Sequence, residues 1–571
     1  MDMITGSEAL WRALLEEGVD TVFGYPGGQI MPVYDSLCQY GDRIRHILVR
    51  HEQGAIHAAQ GYARVKGDPG VVIVTSGPGA TNVITGVADA MTDSTPVVVI
   101  TGQVATAALG TDAFQEADVI GLTAPISKWN WQIRSADEVA WAVARAFYIA
   151  RTGRPGPVVL DFTKDAQVGM TEFHFEPCRF IRSYIPEPTP SETAIKQAVA
   201  LLDTAERPFV VFGQGITLSH AEGQLRAFLE KGDIPAGSTL LGLSALPSGF
   251  PLYMGMIGMH GNVAPNVKTG ECDVLIAVGM RFDDRVTGTV SSYARQAKVI
   301  HIDIDKSEIG KIIPVDVGIR GDAGKVLALL TKRMQERKHP EWVAGFAPCR
   351  AVEEEKVIRP EVEPAEGPLR MGEVVDRVTR FTEGQAVVVT DVGQNQMMAA
   401  RYSRFAASRS FLSSGGLGTM GFGLPAAIGA KIAAPERTVC LFVGDGGIQM
   451  TLQEFGTILQ EQVGVKIVLL NNNWLGNVRQ WQEMFFGRRY SQTRMLNPDY
   501  ALISRAYGIR YRAVERREDL EDALKDLFSD DTPAILDAHV LENGMVMPMV
   551  PPGRGIDEIL LGENDWYRPQ P

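Results

Sequence analysis

Two short stretches in the last third of the chain carry the strongest chemical signal. Gly444-Asp445-Gly446-Gly447 closes one apolar run, and Asn471-Asn472 closes the next. In open α/β sheets, ligands collect at the carboxyl ends of strands, so a single βαβ crossover can set Asp445 beside Asn472. A carboxylate and an amide oxygen form a hard-oxygen pair suited to Mg²⁺, which is usually completed by backbone carbonyl, water and substrate phosphates. Glycines around Asp445 let backbone N–H groups approach an anion. A helix expected from about Ile448 adds the positive end of its dipole. The unit reads as a divalent-metal diphosphate site. A second candidate is Arg50-His51-Glu52, a carboxyl group at the end of a predicted strand (45–49), with Gln53-Gly54-Ala55 opening a helix.

The elements that must position these residues follow from the apolar runs. Strand-sized stretches at 47–50, 71–75, 97–101 and 158–161 precede a Pro-rich hinge, Pro186–Pro190. A second series at 209–212, 274–278 and 299–302 starts after a helix over 192–203. A segment rich in Pro and Glu with little periodicity, 338–369, reads as a linker. A third series follows at 386–390, 439–443, 466–470 and 534–538. Alternation of such runs with helical stretches is the signature of βαβ units and parallel sheets. In both outer zones a strand enters a Gly-rich turn, Gly77-Pro78-Gly79 or Gly444-Asp445-Gly446, then a helix (450–462 in the third zone), then a further strand. The expected fold is α/β, with three doubly wound parallel-sheet domains at 1–185, 191–340 and 370–571, the first and third related.

The 571 residues carry 55 Lys+Arg and 68 Asp+Glu, a net charge of −13. That excludes a global positive field for nucleic acid. The apolar runs are far shorter than a membrane span, and residues 1–20 lack the order of a secretory signal. Cys38, Cys178, Cys272, Cys349 and Cys440 are scattered, without CxxC spacing. They read as thiols of a reducing compartment rather than a disulfide framework or zinc site. A cytoplasmic enzyme is expected.

Gly-Asp-Gly, an intervening helix and Asn-Asn resemble the pattern of thiamine-diphosphate-dependent enzymes. That resemblance implies Mg²⁺ held by the side chains of Asp445 and Asn472 and by the backbone carbonyl of Trp474. It also makes Glu52, set in Arg-His-Glu-x-Gly-Ala, the acid that shares the proton on the cofactor's aminopyrimidine. The cofactor would then span two subunits, so a homodimer or a dimer of dimers is implied.

Further stretches narrow the family. Phe23–Gly28 (FGYPGG), Thr75–Asn82 (TSGPGATN), Gly110–Asp118 (GTDAFQEAD) and Gly153–Val158 (GRPGPV) resemble acetohydroxyacid synthase catalytic subunits. So do Gly258–Gly261 (GMHG), Arg281–Gly288 (RFDDRVTG), Gly416–Gly421 (GLGTMG) and Arg479–Gln482 (RQWQ). The resemblance implies decarboxylation of pyruvate and ligation of the hydroxyethyl carbanion to a second 2-oxo acid. Pyruvate as acceptor gives 2-acetolactate, and 2-oxobutyrate gives 2-aceto-2-hydroxybutyrate, both in branched-chain amino-acid biosynthesis.

On the same resemblance, Gly28, Phe114, Gln115 and Lys164 line the substrate approach. Met420 is the wedge that bends the cofactor, and Trp481 favours the larger acceptor. Tyr25, Pro26, Gly393, Gln394, Asn395, Gly418, Gly444, Gly446 and Gly447 belong to the cofactor cradle. Arg154, Gly213, Gln214, Gly215, Thr239, Leu240, His260, Arg281, Arg285, Asp303 and Asp322 match FAD-contacting positions of a Rossmann-like middle domain. The net reaction involves no oxidation, so the flavin would be structural.

Three residues depart from the family pattern. Asn395 stands where many relatives have His, Asn477 where Met is frequent, and Gln29 where Ala is common. No amino-acid-sensing segment is evident, so feedback would need a separate small regulatory subunit. The alternatives within the cofactor class are a flavin-free catabolic acetolactate synthase, a pyruvate oxidase and a 2-oxo acid decarboxylase. A non-catalytic homologue is disfavoured by the intact Glu52, Asp445 and Asn472.

Overall fold

A computed structural model describes residues 3–568. Its frame is three six-stranded sheets in which every paired strand runs parallel. The central strands, among them Gly70–Val74, Val97–Gln103, Val439–Gly444 and Val465–Asn471, are runs of Val, Ile and Leu buried on both faces. Parallel sheets sandwiched between helices demand such continuous apolar strands.

The first sheet lies in the spatial order Arg45–Leu48, Thr21–Tyr25, Gly70–Val74, Val97–Gln103, Pro157–Thr163, Trp129–Ile133. Numbered along the chain, that order is 2-1-3-4-6-5. The third sheet runs Phe411–Leu412, Val387–Thr390, Val439–Gly444, Val465–Asn471, Ala534–His539, Arg510–Val514. Its order is again 2-1-3-4-6-5, so the two outer zones share one wiring. The middle sheet runs Tyr253–Met256, Ala236–Ser238, Pro208–Phe212, Val274–Val278, Lys298–Asp303, Val317–Arg320. That is 3-2-1-4-5-6, the dinucleotide-binding order.

Each sheet has a switch point where the strand order reverses, and each expected motif lies there. In the first sheet, strands 21–25 and 70–74 lead into Pro26-Gly27-Gly28 and Thr75-Ser76-Gly77. In the third, strands 387–390 and 439–444 lead into Asp391-Val392-Gly393 and Asp445-Gly446-Gly447. In the middle sheet, strands 208–212 and 274–278 lead into Gly213–Gly215 and Gly279–Arg281.

The outer zones pack directly on each other through helices Glu52–Lys66 and Gly423–Ala433. Both place Gly and Ala at the contact. A Cβ on Gly61 would stand 2.0 Å from the carbonyl oxygen of Ala426, and one on Gly429 would stand 1.8 Å from that of Ala58. The contact is backbone against backbone.

Three local expectations are corrected. The helix expected from about Ile448 begins at Asp445 itself, as Asp445–Met450. The helix expected over 450–462 is broken at Thr451: a 3₁₀ turn, Leu452–Glu454, precedes helix Phe455–Glu461. The segment read as a linker is largely helical, with Pro340–Ala344, Ala347–Glu353, a π-helical turn Glu354–Ile358 and Arg359–Val362. Trp342, Phe346, Cys349 and Val357 from this segment are buried in one core with Phe209, Val211 and Leu275 of the middle zone. The chain beyond Val540 returns to the same core, where Met547, Met549, Ile556 and Ile559 are buried. No helix among the described residues is long and apolar enough to cross a membrane.

Candidate active site

At the third sheet's switch point Asp445 is 1% exposed. Its Oδ1 accepts from the N–H of Gly446 at 3.1 Å and its Oδ2 from Asn497 Nδ2 at 2.7 Å. Burial pushes this carboxyl up to about 6. Asn472 donates from Nδ2 to Gln394 Oε1 at 3.2 Å, and its Oδ1 accepts the N–H of Trp474 at 3.2 Å. Gln394 in turn donates to Gln480 Oε1 and to the carbonyl of Gly544. Asn472, Trp474 and Gln394 therefore form one hydrogen-bonded cluster, and Asn497, bonded to Asp445, Asn471 and Asn473, ties Asp445 to it. A buried carboxylate whose partners are amides and N–H groups, beside an amide oxygen, suits a hard divalent cation.

The surrounding cradle fits a diphosphate. Gly393 heads helix Gln394–Tyr402 and Gly444 heads helix Asp445–Met450. The Cε of Met420 lies 3.0 Å from where a Cβ on Gly446 would stand, so the methionine methyl touches this floor. Asn395 is buried, with Nδ2 bonded to Val392 O at 3.2 Å and Oδ1 left without a partner.

Two residues that sequence reasoning missed hold this site. Asp391 is fully buried and accepts the N–H groups of Gly421, Gly423 and Val392, fixing the turn after Met420. Asn497 donates to Asp445, Asn471 and Asn473 from one amide nitrogen. Asp391 had a signal, an Asp at a strand end before Val-Gly. Asn497, in an irregular loop, had none.

At the first sheet's switch point Glu52 opens helix Glu52–Lys66, and His51 caps it by accepting from the N–H of Gln53 at 3.1 Å. Asn82 Nδ2 donates to Glu52 Oε2 at 2.9 Å. Gln115 packs against Gly77, at 3.0 Å from where its Cβ would be. Lys164 Nζ reaches the carbonyl of Gly28 at 3.4 Å. Tyr25 and Phe114 stand exposed at the rim, Phe114 at 83%.

A cavity of about 1320 Å³ joins the middle sheet's switch point to the third zone. Arg154, Gln214, Gly215, Thr239, Leu240, His260, Arg281, Arg285, Asp303 and Asp322 all line it, and so do Gly393, Gly418, Asn477 and Trp481. Its size exceeds the roughly 300–1,000 Å³ of ordinary small-molecule pockets and leaves room for a dinucleotide. Gly213 is the exception: it is buried beneath the cavity, with its N–H bonded to Val278 O, outside the lining. Gly215 lies against Gly279, where a Cβ would be 2.5 Å from the Gly279 Cα, so the two turns touch at the switch point. Burial beside Arg401 and Arg285 holds His260 down to about 4, a neutral ring at neutral pH. Burial pushes the Asp303 carboxyl up to about 7.

Loop 413–420 links this cavity to the Met420 floor, and the first zone holds it. Asp93 accepts the N–H groups of Gly415 and Gly416 at 2.9 and 2.7 Å and pairs with Arg64 at 2.9 Å. Asp89 accepts from Thr419 Oγ1 at 3.0 Å and from Ser414 Oγ.

Comparison with known proteins agrees with this architecture. Three family models match: the thiamine pyrophosphate enzyme N-terminal TPP binding domain over residues 4–122, the central domain over 195–330, and the C-terminal TPP binding domain over 391–538. The acetolactate synthase large subunit of Lactococcus lactis is 43% identical over 560 residues, covering 97% of this chain and 96% of its own. The chain belongs to the acetolactate synthase large-subunit family. The isozyme 2 large subunit of Escherichia coli is 44% identical, covering 98% of this chain and 99% of its own. A probable acetolactate synthase large subunit of Methanocaldococcus jannaschii is 42% identical over 97% and 95%. The family models make the two outer zones the thiamine pyrophosphate binding domains, and the middle zone's switch point faces the large cavity.

Proposed function

We propose that this chain is the catalytic subunit of an acetohydroxyacid synthase. It decarboxylates pyruvate and joins the two-carbon unit to pyruvate or 2-oxobutyrate. The observation that carries the reading is the buried Asp445–Asn472–Gln394 cluster at the switch point of a sheet whose wiring repeats in the zone bearing Glu52.

Asp445, Asn472 and the Trp474 carbonyl would hold Mg²⁺. Gly393, Gln394, Asn395, Gly418, Gly444, Gly446 and Gly447 would hold the diphosphate. Tyr25, Pro26 and Met420 would bracket the organic part of the cofactor. Thiamine diphosphate supplies the electron sink that lets CO₂ leave a 2-oxo acid.

The chain's own residues do the rest. Glu52, its rotamer set by Asn82, holds a proton at the aminopyrimidine ring nitrogen. Gly28, Gln115 and Lys164 orient the oxo acid at the mouth of the first crevice, with Phe114 at its rim. Trp481, stacked edge-on with Phe485 at 5.3 Å in the cavity wall, offers an apolar surface to the extra methyl of 2-oxobutyrate. FAD would fill the large cavity as a structural element, because the net reaction transfers no electrons.

The outer crevices are rimmed by exposed apolar side chains, Tyr25, Met31 and Phe114 on one and Leu417 and Met450 on the other. A two-fold partner would cover both at once, the first zone of one chain facing the third zone of the other. The working unit is then a homodimer or a dimer of dimers.

The test is product analysis. With pyruvate, thiamine diphosphate, Mg²⁺ and FAD, the protein should form 2-acetolactate. Acetaldehyde or acetate as the sole product would instead assign a decarboxylase or an oxidase.

A further inference from the structure

We propose that Glu454 is a positioning residue for Glu52, holding from the third zone the strand-to-helix junction on which Glu52 sits. The inference rests on the reading of Glu52 as the acid at the aminopyrimidine.

Glu454 closes the 3₁₀ turn Leu452–Glu454, in the same switch-point segment as Asp445. It is fully buried, and its side chain ends in the other zone. Both carboxylate oxygens accept the N–H of Arg50, at 3.1 and 3.2 Å, and the N–H of His51 also donates to this carboxylate. These are the two residues immediately before Glu52. Thr457 Oγ1 fixes Oε2 from the other side at 2.6 Å.

The grip is mutual. The Arg50 guanidinium donates from Nη2 to Gly456 O at 3.0 Å and to Gln460 Oε1 at 2.9 Å, and from Nη1 to Leu48 O at 2.8 Å. The carboxylate lies flush on the first turn of the helix. A Cβ on Gly54 would stand 2.4 Å from Glu454 Oε1, so only glycine leaves room for it.

Helix N-termini leave N–H groups without internal partners, and a carboxylate there also meets the positive end of the dipole. Here the acceptor comes from another zone. Burial pushes the Glu454 carboxyl up to about 7 against the pull of these donors, so the bonds offset only part of the desolvation cost of the charged form. Such a group fixes geometry. Displacing the 50–51 peptide by a fraction of an ångström swings Glu52 away from Asn82 and from the proton it must hold.

The experiment uses the full holoenzyme. Glu454→Gln keeps the volume but turns an amide N–H toward donors it cannot bond. The expected result is a fall of about tenfold in both kcat and solvent exchange of the cofactor's thiazolium C2 proton. KM for pyruvate and the affinity for thiamine diphosphate, titrated by tryptophan fluorescence, should move less than about twofold. Thr457→Val removes one bond to the same carboxylate and should slow exchange about threefold without endangering the fold. Glu52→Gln alone and combined with Glu454→Gln should exchange at the same slow rate, because the second residue acts through the first. Slow exchange in Glu52→Gln with wild-type rates in Glu454→Gln and Thr457→Val would overturn this inference alone. A wild-type rate in Glu52→Gln would remove the reading of Glu52, and the inference with it.

Discussion

Glu353 and Arg401 form an ion pair at 2.6 Å with side chains only 2% and 1% exposed. Glu353 also accepts from Asn262 Nδ2 and the N–H of Val263, while Arg401 donates to the carbonyls of His260 and Gly261. One pair thus ties the Gly258–Gly261 turn of the large cavity to the helix headed by Gln394. Breaking a buried pair from one side leaves an uncompensated charge, at about 3–5 kcal/mol. Glu353→Ala should therefore lower the unfolding temperature markedly and release flavin from the purified protein, read by absorbance after gel filtration.

Trp481 lines the cavity beside Asn477 and Val478. One methylene in an apolar pocket discriminates by about 1–3 kcal/mol. Trp481→Leu should reduce the preference for 2-oxobutyrate over pyruvate about tenfold or more, with acetolactate formation from pyruvate alone much less affected. Competition between the two acceptors, with both products quantified, measures it.

His57 is fully buried on helix Glu52–Lys66, against the edge of Phe422 and within 3.2 Å of Gln60. Burial, reinforced by Arg64, holds it down to about 3 from 6.5. The neutral ring is the folded form, so its contribution to stability is complete above pH 6.5. That contribution is lost as pH falls toward 3, at about 1.4 kcal/mol per pH unit. His57→Gln should flatten the acid limb of a stability-against-pH curve over that window and leave the neutral-to-alkaline side unchanged.

Glu52→Gln keeps the bond geometry at Asn82 but removes the carboxyl proposed to share the cofactor's proton. Turnover should fall by roughly 10²–10⁴ with no change in unfolding temperature. Wild-type turnover in that variant would mean that another group holds the proton.

Much of this arrangement is legible in the residues, and the illegible parts share a cause. Strands such as Val71–Val74 and Ile467–Leu470 declare themselves because a buried parallel strand must be continuously apolar. Asp445 and Asn472 are legible because they close consecutive strands of one crossover. The helices of 340–362 were hidden because Pro340, Pro348 and Pro360 read as breakers, yet each opens a helix at its first turn, where the missing N–H costs nothing. The break at Thr451 has no local signal. Its use appears only in three dimensions, where the following turn delivers Glu454 to Arg50. Asn497 and the Glu353–Arg401 pair join residues far apart in sequence, and the apolar periodicity that locates strands says nothing of such partners. Gly213 shares its Gly-x-Gly setting with Gly215, and only the direction of the turn puts one in the cavity wall and the other beneath it.

In the proposed dimer, Glu52 and the Asp445–Asn472 pair serve one cofactor from opposite chains. Mixing two inactive variants, Glu52→Gln and Asp445→Asn, tests it directly after dissociation and reassociation. Random pairing makes half the dimers mixed, and each mixed dimer holds one site with both native residues. Acetolactate formation should therefore return to about a quarter of the wild-type rate. A mixture as inactive as its parents would place both residues of each site on the same chain and rule out a shared site.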